Sequence, residues 1–211
     1  MYVTKYGHCC LLIEIQGVRF LTDPGTFSEL PSELHNIHYV VITHEHADHM
    51  HIPAVTFVMQ KNPQARVISN TSVQQLLQKE GIACLLHEAG HQAEYDGVSL
   101  CAYGESHAVT HSELPVVQNT GYLFNDTLFY PGDALTIPGV AVDVLALPTA
   151  GPWIKLSEAI AYARTVQPRR VVPVHDGVYA RPDMMNGAIE KLLQKTGISF
   201  VALPHGVTIQ L

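Results

Sequence analysis

The sequence predicts an α+β fold in which two mixed β-sheets pack face to face and helices cover the outside. Short strand-like runs cluster in hairpins near the start and in the middle of the chain, and helical runs are interspersed without a strict strand–helix alternation. The chain has 211 residues, enough to bury a sizeable core, and no linker or low-complexity segment divides it. We therefore expect a single domain that covers residues 1–211.

In the first half, apolar runs of strand length are separated by turn signals and by two helices. Gln16-Gly17 predicts a tight hairpin turn, and Asp23-Pro24-Gly25 breaks the chain after the third strand. The run at 37–43 is almost continuously apolar, which is typical of a strand buried on both faces. The predicted elements are strands at 2–6, 10–15, 18–21, 37–43 and 66–69, and helices at 53–60 and 71–80.

The second half continues with the same mixture of hairpins and helices. Asn125-Asp126 joins two strands as a hairpin. Apolar residues recur at helical spacing from Leu156 to Val166, Pro168 ends that run, and Gly197 ends the last helix. The predicted elements are strands at 97–103, 121–124, 127–130, 142–147, 171–174, 200–203 and 207–210, and helices at 157–166 and 183–195.

The balance of charges limits the partners of this chain. It contains 12 Lys and Arg residues against 19 Asp and Glu residues, a formal net charge of −7. The longest basic stretch is Arg169-Arg170, so a phosphate backbone would be repelled. No apolar run approaches the roughly 18 residues that cross a membrane. We expect a small-molecule substrate, with neither nucleic acid nor a membrane as a partner.

The cysteines predict the cellular compartment. The chain has four of them, none with the C-x-x-C spacing of many metal and redox sites. A large domain with so few cysteines, no signal peptide and a strand-like start indicates a reducing, cytoplasmic location. We expect the four cysteines to be buried structural thiols.

Histidine is unusually frequent, with 13 residues against 12 Lys and Arg, and its densest cluster is HEHADH at 44–49. This cluster directly follows the apolar run that ends at Thr43. In extended backbone, side chains two residues apart point the same way, so His44 and His46 can meet one cation. Asp48 and His49 follow in the turn and can face a second cation. Polar residues at the end of a buried strand lie where active sites usually form.

Three further polar residues follow apolar strands and have a glycine nearby. His107 lies in GESHAVTH, Asp133 in FYPGDAL and His175 in VVPVHDG. A metal site with four or five ligands needs such contributions from separate segments. Asp133 can bridge two cations because each carboxylate oxygen can bind one. His111, four residues after His107, would share its face on a helical turn and is the alternative ligand there.

These motifs, in this order, resemble those of the metallo-β-lactamase superfamily over most of the chain, from GHCCLLIE at 7–14 to His175. THEHADH, a later histidine, the aspartate in PGD and the histidine in PVHDG carry the resemblance. The segments GHCCLLIE, LTDPG, NTGYLF and LPTAGPW look like the UlaG-like and YtkL-like branch of metal-dependent hydrolases. The resemblance implies the metallo-β-lactamase fold, a four-layer αββα sandwich.

The resemblance also implies a site with two divalent metal ions. Asp23 would orient the histidine loop as a hydrogen-bond acceptor, and His8 would contact the substrate or support a ligand. No cysteine occupies a ligand position, which disfavours a β-lactam substrate. Such ligands suit Zn²⁺ best here, with Mn²⁺, Fe²⁺ and Co²⁺ also compatible. The implied ligands are His44, His46 and His107 for the first ion, Asp48, His49 and His175 for the second, and Asp133 between them.

Two metal ions lower the pKa of a bridging water and supply hydroxide near neutral pH. We therefore expect a hydrolase that attacks a small ester, lactone, amide or phosphodiester, with Asp48 accepting the proton of the nucleophile and His8 as a second catalytic candidate. The alternative is a non-catalytic metal-binding or regulatory module on the same fold, although binding alone does not need the bridging aspartate. Trp153 either walls the cleft or caps the core, and Tyr179 is a candidate oxyanion donor. The low charged fraction is compatible with a homo-oligomer.

Overall fold

The computed structural model describes residues 1–211 and has four helices and fourteen strands. The strands form two seven-stranded sheets, so the predicted α+β class is confirmed. In chain order the elements are β1 (Tyr2–Lys5), β2 (Leu11–Ile15), β3 (Val18–Thr22), β4 (Tyr39–Val41), α1 (Ile52–Lys61), β5 (Arg66–Ser69), α2 (Thr71–Lys79), β6 (Cys84–Leu86), β7 (Gln92–Tyr95), β8 (Val98–Tyr103), β9 (Gly121–Phe124), β10 (Leu128–Tyr130), β11 (Val144–Pro148), α3 (Leu156–Val166), β12 (Arg170–Val174), α4 (Pro182–Gln194), β13 (Ser199–Phe200) and β14 (Thr208–Gln210).

Both sheets are mixed and have the same plan. The first has the order β14-β1-β2-β3-β4-β5-β6, antiparallel from β14 to β3 and parallel from β3 to β6. The second has the order β13-β12-β11-β10-β9-β8-β7, parallel from β13 to β10 and antiparallel from β10 to β7. Loops that follow β4, β8, β10 and β12 can therefore gather at one edge of the two sheets.

The alternation of side chains along each strand builds three apolar layers. In β2, Leu11 and Ile13 belong to a cluster of 22 buried residues between the two sheets, whereas Leu12 points outward to the cluster beneath α1 and α2. Ile160 of α3 and Ile189 of α4 pack in a third cluster on the second sheet. The four layers are thus helices, sheet, sheet and helices, as the sequence predicts.

Two short strands were not expected from the sequence. β7 reads QAEY, is half-exposed at a sheet edge and pairs only with β8, so no apolar pattern marks it. β6 has three residues at the opposite edge of the other sheet. Some predicted strands are also longer than the observed ones. The run at 37–43 contributes only Tyr39–Val41 to the ladder, because Thr43 donates its N–H to Asp23 Oδ1 instead.

The helices of this chain are too short for a bilayer. The longest, α4, has 13 residues, and about 20 residues are needed to span the hydrocarbon core. No helix in the structure combines the length and the hydropathy of a membrane span.

Candidate metal centre

The structure brings together all eight residues that the sequence singled out for the site. They come from five loops at one edge of the molecule, where the two sheets meet. The loop after β4 carries four of them, and the loops after β8, β10 and β12 carry one each, while His8 precedes β2. These residues are His8, His44, His46, Asp48, His49, His107, Asp133 and His175.

Three histidines form the first group. Nε2 of His44 lies 3.1 Å from Nδ1 of His46, and one nitrogen from each of these rings and from His107 lies within 4.8 Å of the other two. Nδ1–H of His44 donates to Thr43 Oγ1 at 3.0 Å, and Nδ1–H of His107 donates to the carbonyl of Ala108. Because Nδ1 carries the proton, Nε2 of both rings keeps its lone pair for a cation.

Asp133 lies between this group and the remaining histidines. Its Oδ2 is 2.8 Å from Nε2 of His175 and 3.4 Å from Nε2 of His107, and its Oδ1 is 3.2 Å from Nε2 of His49. The Asp133 side chain is 3% exposed, so its charge must be matched inside the site. One carboxylate is therefore in contact with imidazoles from both predicted ligand sets.

Asp48 lies beside His175 and His8, and its side chain is 26% exposed. Its Oδ2 lies 3.5 Å from Nε2 of His175 and 3.3 Å from Nε2 of His8. His8 accepts the N–H of Gly177 on its Nδ1 at 3.1 Å, so its hydrogen is on Nε2, facing Asp48. Nε2–H of His8 thus points toward Asp48 without forming a hydrogen bond, and it carries no lone pair for a cation.

Asp23 fixes the position of the histidine loop by accepting hydrogen bonds from it. Its two carboxylate oxygens accept from Thr43 N at 2.8 Å, Thr43 Oγ1 at 2.7 Å, His49 Nδ1 at 2.7 Å and Tyr130 Oη at 2.6 Å. The bond from His49 fixes that ring with Nε2 inward. The sequence implied this role for Asp23 but gave no signal for Tyr130, which reaches it from the opposite sheet.

Asp133 is positioned by two side chains that lie far from it in sequence. Asn119 accepts the N–H of Asp133 on Oδ1 at 3.0 Å and donates Nδ2 to the carbonyl of Pro131 at 2.9 Å. Trp153 donates Nε1–H to Asp133 Oδ2 at 3.0 Å. Both lie in segments that carry the family resemblance, NTGYLF and LPTAGPW, although neither was expected to hold the aspartate.

Several buried polar atoms of the site lack hydrogen-bond partners. Buried polar groups are nearly always paired, so a cluster of unpaired ones calls for an explanation such as a bound ion. Cations at this place would satisfy the inward-facing atoms, including Nε2 of His175, and the donor set of imidazole nitrogens and carboxylate oxygens suits divalent transition metals. The unpaired ligand atoms are His49 Nε2, His107 Nε2, Asp133 Oδ1 and both ring nitrogens of His175.

The pKa values of the site histidines are shifted in opposite directions. Burial, together with neighbouring imidazoles, lowers the pKa of His44 well below its usual value and also lowers that of His46. Burial opposes charge on His49 as well, but Asp133 and other acidic neighbours outweigh it and raise its pKa well above the usual value. The pKa of His175 is raised in the same way, by Cys9 and Asp133 against burial. Without a competing cation, the surroundings thus favour the neutral form of His44 and His46 and the protonated form of His49 and His175.

The carboxyl groups of the site are ionised. Burial favours the neutral acid at Asp133, but His49, His107 and His175 hold its pKa well below the usual value. Burial also opposes ionisation of Asp48, and contact with His8 and the charge of His49 still lower its pKa to about 2. Both groups therefore present anionic oxygen to a cation at neutral pH.

A cleft of about 430 Å³ opens onto these residues. Its metal-facing wall contains His46, Asp48, His107, Asp133 and His175, and its other walls are mostly apolar. Two larger hollows, of about 810 and 980 Å³, lie elsewhere, and of the cluster only His8 borders either of them. The chemistry identifies the smaller cleft as the candidate active site.

Several secondary expectations are resolved by the structure. His111 is exposed and accepts the N–H of Glu113, so His107 takes the place in the cluster. Tyr179 donates to the carbonyl of Thr149 and does not line the cleft. Cys9, expected to be only a structural thiol, is 1% exposed, and its Sγ lies within 4.8 Å of nitrogens of three site histidines. The sequence gives no signal for this position of the thiol beyond its place beside His8.

Comparison with known proteins agrees with the fold and with the class of metal-dependent hydrolases. A family model described as a beta-lactamase superfamily domain matches residues 2–175. Protein Rv0786c of Mycobacterium tuberculosis is 37% identical over 210 residues, 97% of each chain. A UPF0173 metal-dependent hydrolase of Pyrobaculum neutrophilum is 27% identical over 195 residues, 83% of this chain and 84% of the relative. Igni18, a metallo hydrolase of Ignicoccus hospitalis, has the same fold, with a TM-score of 0.77 at 21% identity, covering 100% of this chain and 98% of that one.

The chain therefore belongs to the beta-lactamase superfamily. The predicted metallo-β-lactamase fold is confirmed, and so is the prediction of a metal-dependent hydrolase of this superfamily. The ligand sets, the number of metal ions and the reaction are developed below.

Proposed function

We propose that this protein is a hydrolase with a dinuclear metal site. His44, His46 and His107 bind one divalent ion, Asp48, His49 and His175 bind the other, and Asp133 contacts both. The observation that carries this proposal is the set of buried, unpaired ligand atoms that face one another around Asp133. Zn²⁺ suits these nitrogen and oxygen ligands, and Mn²⁺ and Fe²⁺ are the alternatives.

When bound, two such ions supply hydroxide near neutral pH and stabilise a developing oxyanion. The protein's own groups orient this chemistry. Asp48 is ionised, lines the cleft and accepts the proton that leaves the attacking water. His8 is a positioning residue, since it is 1% exposed and reaches the substrate only through Asp48.

The reaction supported by this arrangement is the hydrolysis of a small ester, lactone, amide or phosphodiester. A cleft of about 430 Å³ is in the size range of small-molecule sites. Asp133 contacts imidazoles of both histidine groups. No other role in the structure requires one carboxylate to be shared in this way. A metal-binding module without turnover remains the competing outcome of the experiment.

The test compares the metal-loaded protein, the chelated protein and the Asp133→Asn variant on a panel of the four substrate types. We expect two equivalents of metal in the loaded protein, at least about a hundredfold loss of turnover on chelation, and recovery when metal is returned. Asp133→Asn should fail to hold two equivalents. Asp143→Asn is the matched control, because Asp143 pairs with exposed Arg169 at 3.0 Å and is not part of the site.

Two outcomes would contradict the proposal. Full activity after complete chelation would exclude a metal-dependent reaction. Two tightly bound ions with no turnover on any substrate type would identify a binding module instead.

We also infer one domain over residues 1–211 and a cytoplasmic location. β14 pairs with β1 in the first sheet, and the site draws on both sheets, which supports a single cooperative unit. All four cysteines are free, which agrees with a reducing compartment. A single calorimetric unfolding transition and fractionation of the native host cell test the two inferences.

A further inference from the structure

The loop after β8 forms a flap over the candidate metal centre. We define the flap as residues 108–116, the part of the loop that lies beyond two backbone hydrogen bonds at its base. His107 N donates to Val117 O at 3.0 Å, and Ala108 N donates to Asp133 O at 2.8 Å. The flap contains no helix or strand, and a turn from His111 to Leu114 forms its tip.

The flap is mostly apolar where it faces the cleft, and Thr110 is its one polar side chain there. Leu114, Pro115 and Val116 line the cleft from the flap, and Trp153 lines it from the opposite loop. Leu114 is 55% exposed and Val116 is 50% exposed. Exposed apolar side chains that border a concave site are typical of a surface that a ligand covers. The part of the substrate that lies against the flap is therefore hydrocarbon.

No Lys or Arg side chain lines the cleft, so any positive charge there comes from the metal centre. No Lys or Arg occurs between Lys79 and Lys155, and none is among the lining residues. Lys155 itself is exposed at the start of α3 and does not line the cleft. Two exposed carboxylates, Glu105 two residues before His107 and Glu113 on the flap, add negative charge to this segment. Sites for anionic groups use Arg or Lys, and transferring phosphoryl groups are held by them together with metal ions.

We propose that the substrate is an uncharged acyl compound, such as a carboxylic ester or lactone, whose hydrocarbon part packs against Leu114, Val116 and Trp153. This rests on the proposed hydrolase function and narrows its substrate class. In the reaction of an ester, the oxygen of water bonds to the acyl carbon, the acyl C–O bond to the alcohol breaks, and a proton from water goes to the leaving oxygen. The products are a carboxylic acid and an alcohol, and water is the only co-reactant.

The binding test uses Trp153, the single tryptophan of the chain, as an intrinsic fluorescent probe in the cleft. The metal-loaded protein is titrated with 2-octanone, a neutral carbonyl compound that is not hydrolysed. We expect a saturable change in fluorescence, and a Kd at least about tenfold higher in Leu114→Lys because the alkyl chain then meets a charge. Leu86→Lys is the matched control, since Leu86 is 41% exposed on β6 and lies outside the cleft.

The turnover test uses two esters with the same leaving group, p-nitrophenyl hexanoate and mono-p-nitrophenyl glutarate. We expect kcat/KM to favour the hexanoate by at least about tenfold, and Leu114→Lys to shrink that preference while Leu86→Lys preserves it. Equal turnover of both esters, faster turnover of bis(p-nitrophenyl) phosphate, or no response to 2-octanone would overturn this inference. If 2-octanone binds as expected but no substrate type is turned over, the proposed function fails and the apolar binding site stands.

Discussion

The hydrogen bonds around each imidazole decide which nitrogen can bind a cation. In His44, His49 and His107, Nδ1 donates to an oxygen of Thr43, Asp23 or Ala108, which leaves Nε2 inward. His8 is the exception, because Gly177 occupies its Nδ1 and keeps the hydrogen on Nε2. Identical residue types thus take different roles according to a single neighbouring backbone or side-chain group.

The two ligand sets should differ in the protons that they release. His49 and His175 have raised pKa values, so a cation must displace protons from them near pH 7. His44 and His46 have lowered pKa values and are already neutral. We expect the affinity of the second set to fall more steeply than that of the first as the pH is lowered, by about tenfold per pH unit for each proton displaced. Calorimetry in buffers of different ionisation enthalpy counts these protons, and an equal count for both ions would refute the distinction.

Replacing His8 should weaken one cation selectively. His8→Ala removes the donor that faces Asp48 Oδ2 at 3.3 Å, and loss of such a partner typically costs 10-fold to 100-fold in metal affinity, as an order of magnitude. We expect the second equivalent to be lost first and the first to remain, as measured by metal analysis after dialysis. His8→Gln, whose amide can both accept and donate, should restore part of the affinity. Equal loss of both ions would indicate a general structural defect and contradict the prediction. The control is His205→Ala, which replaces an exposed histidine outside the site and should retain both ions.

At the scale of an element, the turn at Asp23-Pro24-Gly25 is the support of the histidine loop. Thr26 N donates to Ala47 O at 2.8 Å, and His51 N donates to Pro24 O at 3.1 Å, so the two segments run against each other. A Cβ at Gly25 would lie 1.8 Å from the carbonyl oxygen of Asp48. The turn therefore needs glycine because of close backbone contact, while its φ is ordinary.

Gly25→Ala should destabilise the protein and disturb the metal site together. The contact is with backbone, which cannot rotate away, so we expect a loss of about 1–3 kcal/mol or more and weaker metal binding. Thermal unfolding and metal analysis measure both effects. Gly187→Ala is the matched control in α4, where a Cβ would meet nothing within 4 Å, and it should be neutral or slightly stabilising. A variant at Gly25 that is as stable as this control would disprove the role of the close contact.

At the scale of the whole molecule, the site lies where the two sheets meet, and buried polar contacts join them there. Tyr130 of the second sheet donates to Asp23 beside the first. Lys5 at the end of β1 bonds Pro173 O at 3.0 Å and forms an ion pair with Asp176, directly after His175. The Lys5 and Asp176 side chains are 7% and 11% exposed. The ion pair therefore holds the His175 loop against the first strand.

Asp176→Asn should be strongly destabilising because it leaves the Lys5 charge buried without its partner. Breaking a buried pair in this way costs about 3–5 kcal/mol, which chemical denaturation can measure. The double variant Lys5→Met/Asp176→Leu should recover most of the loss, since it removes both charges. Asp183→Asn is the control, because its pair with Arg181 is exposed, and its effect should stay within about 0.5 kcal/mol. An Asp176→Asn protein as stable as this control would contradict the interpretation.

The sequence alone predicted the features that follow from local pattern. Hairpins at Gln16-Gly17 and Asn125-Asp126, the helix that ends before Pro168 and the metal-binding character of HEHADH all depend on residues within a few positions of one another. Placing His107, Asp133 and His175 with that motif depended on order and spacing that resemble a known family. The polar edge strand β7 and the short β6 were missed because their pairing partners, rather than their own residues, define them.

By itself, then, the sequence determined the α+β class and the residue types available for a metal centre, because chain periodicity and side-chain chemistry are local properties. Only the tertiary structure decided which nitrogen of each histidine faces inward, that Trp153 and Asn119 hold Asp133, and that Cys9 lies beside the site. It also placed a mostly apolar flap without Lys or Arg over the cleft. These features depend on contacts between residues far apart in the chain, and packing of the two sheets is what creates those contacts.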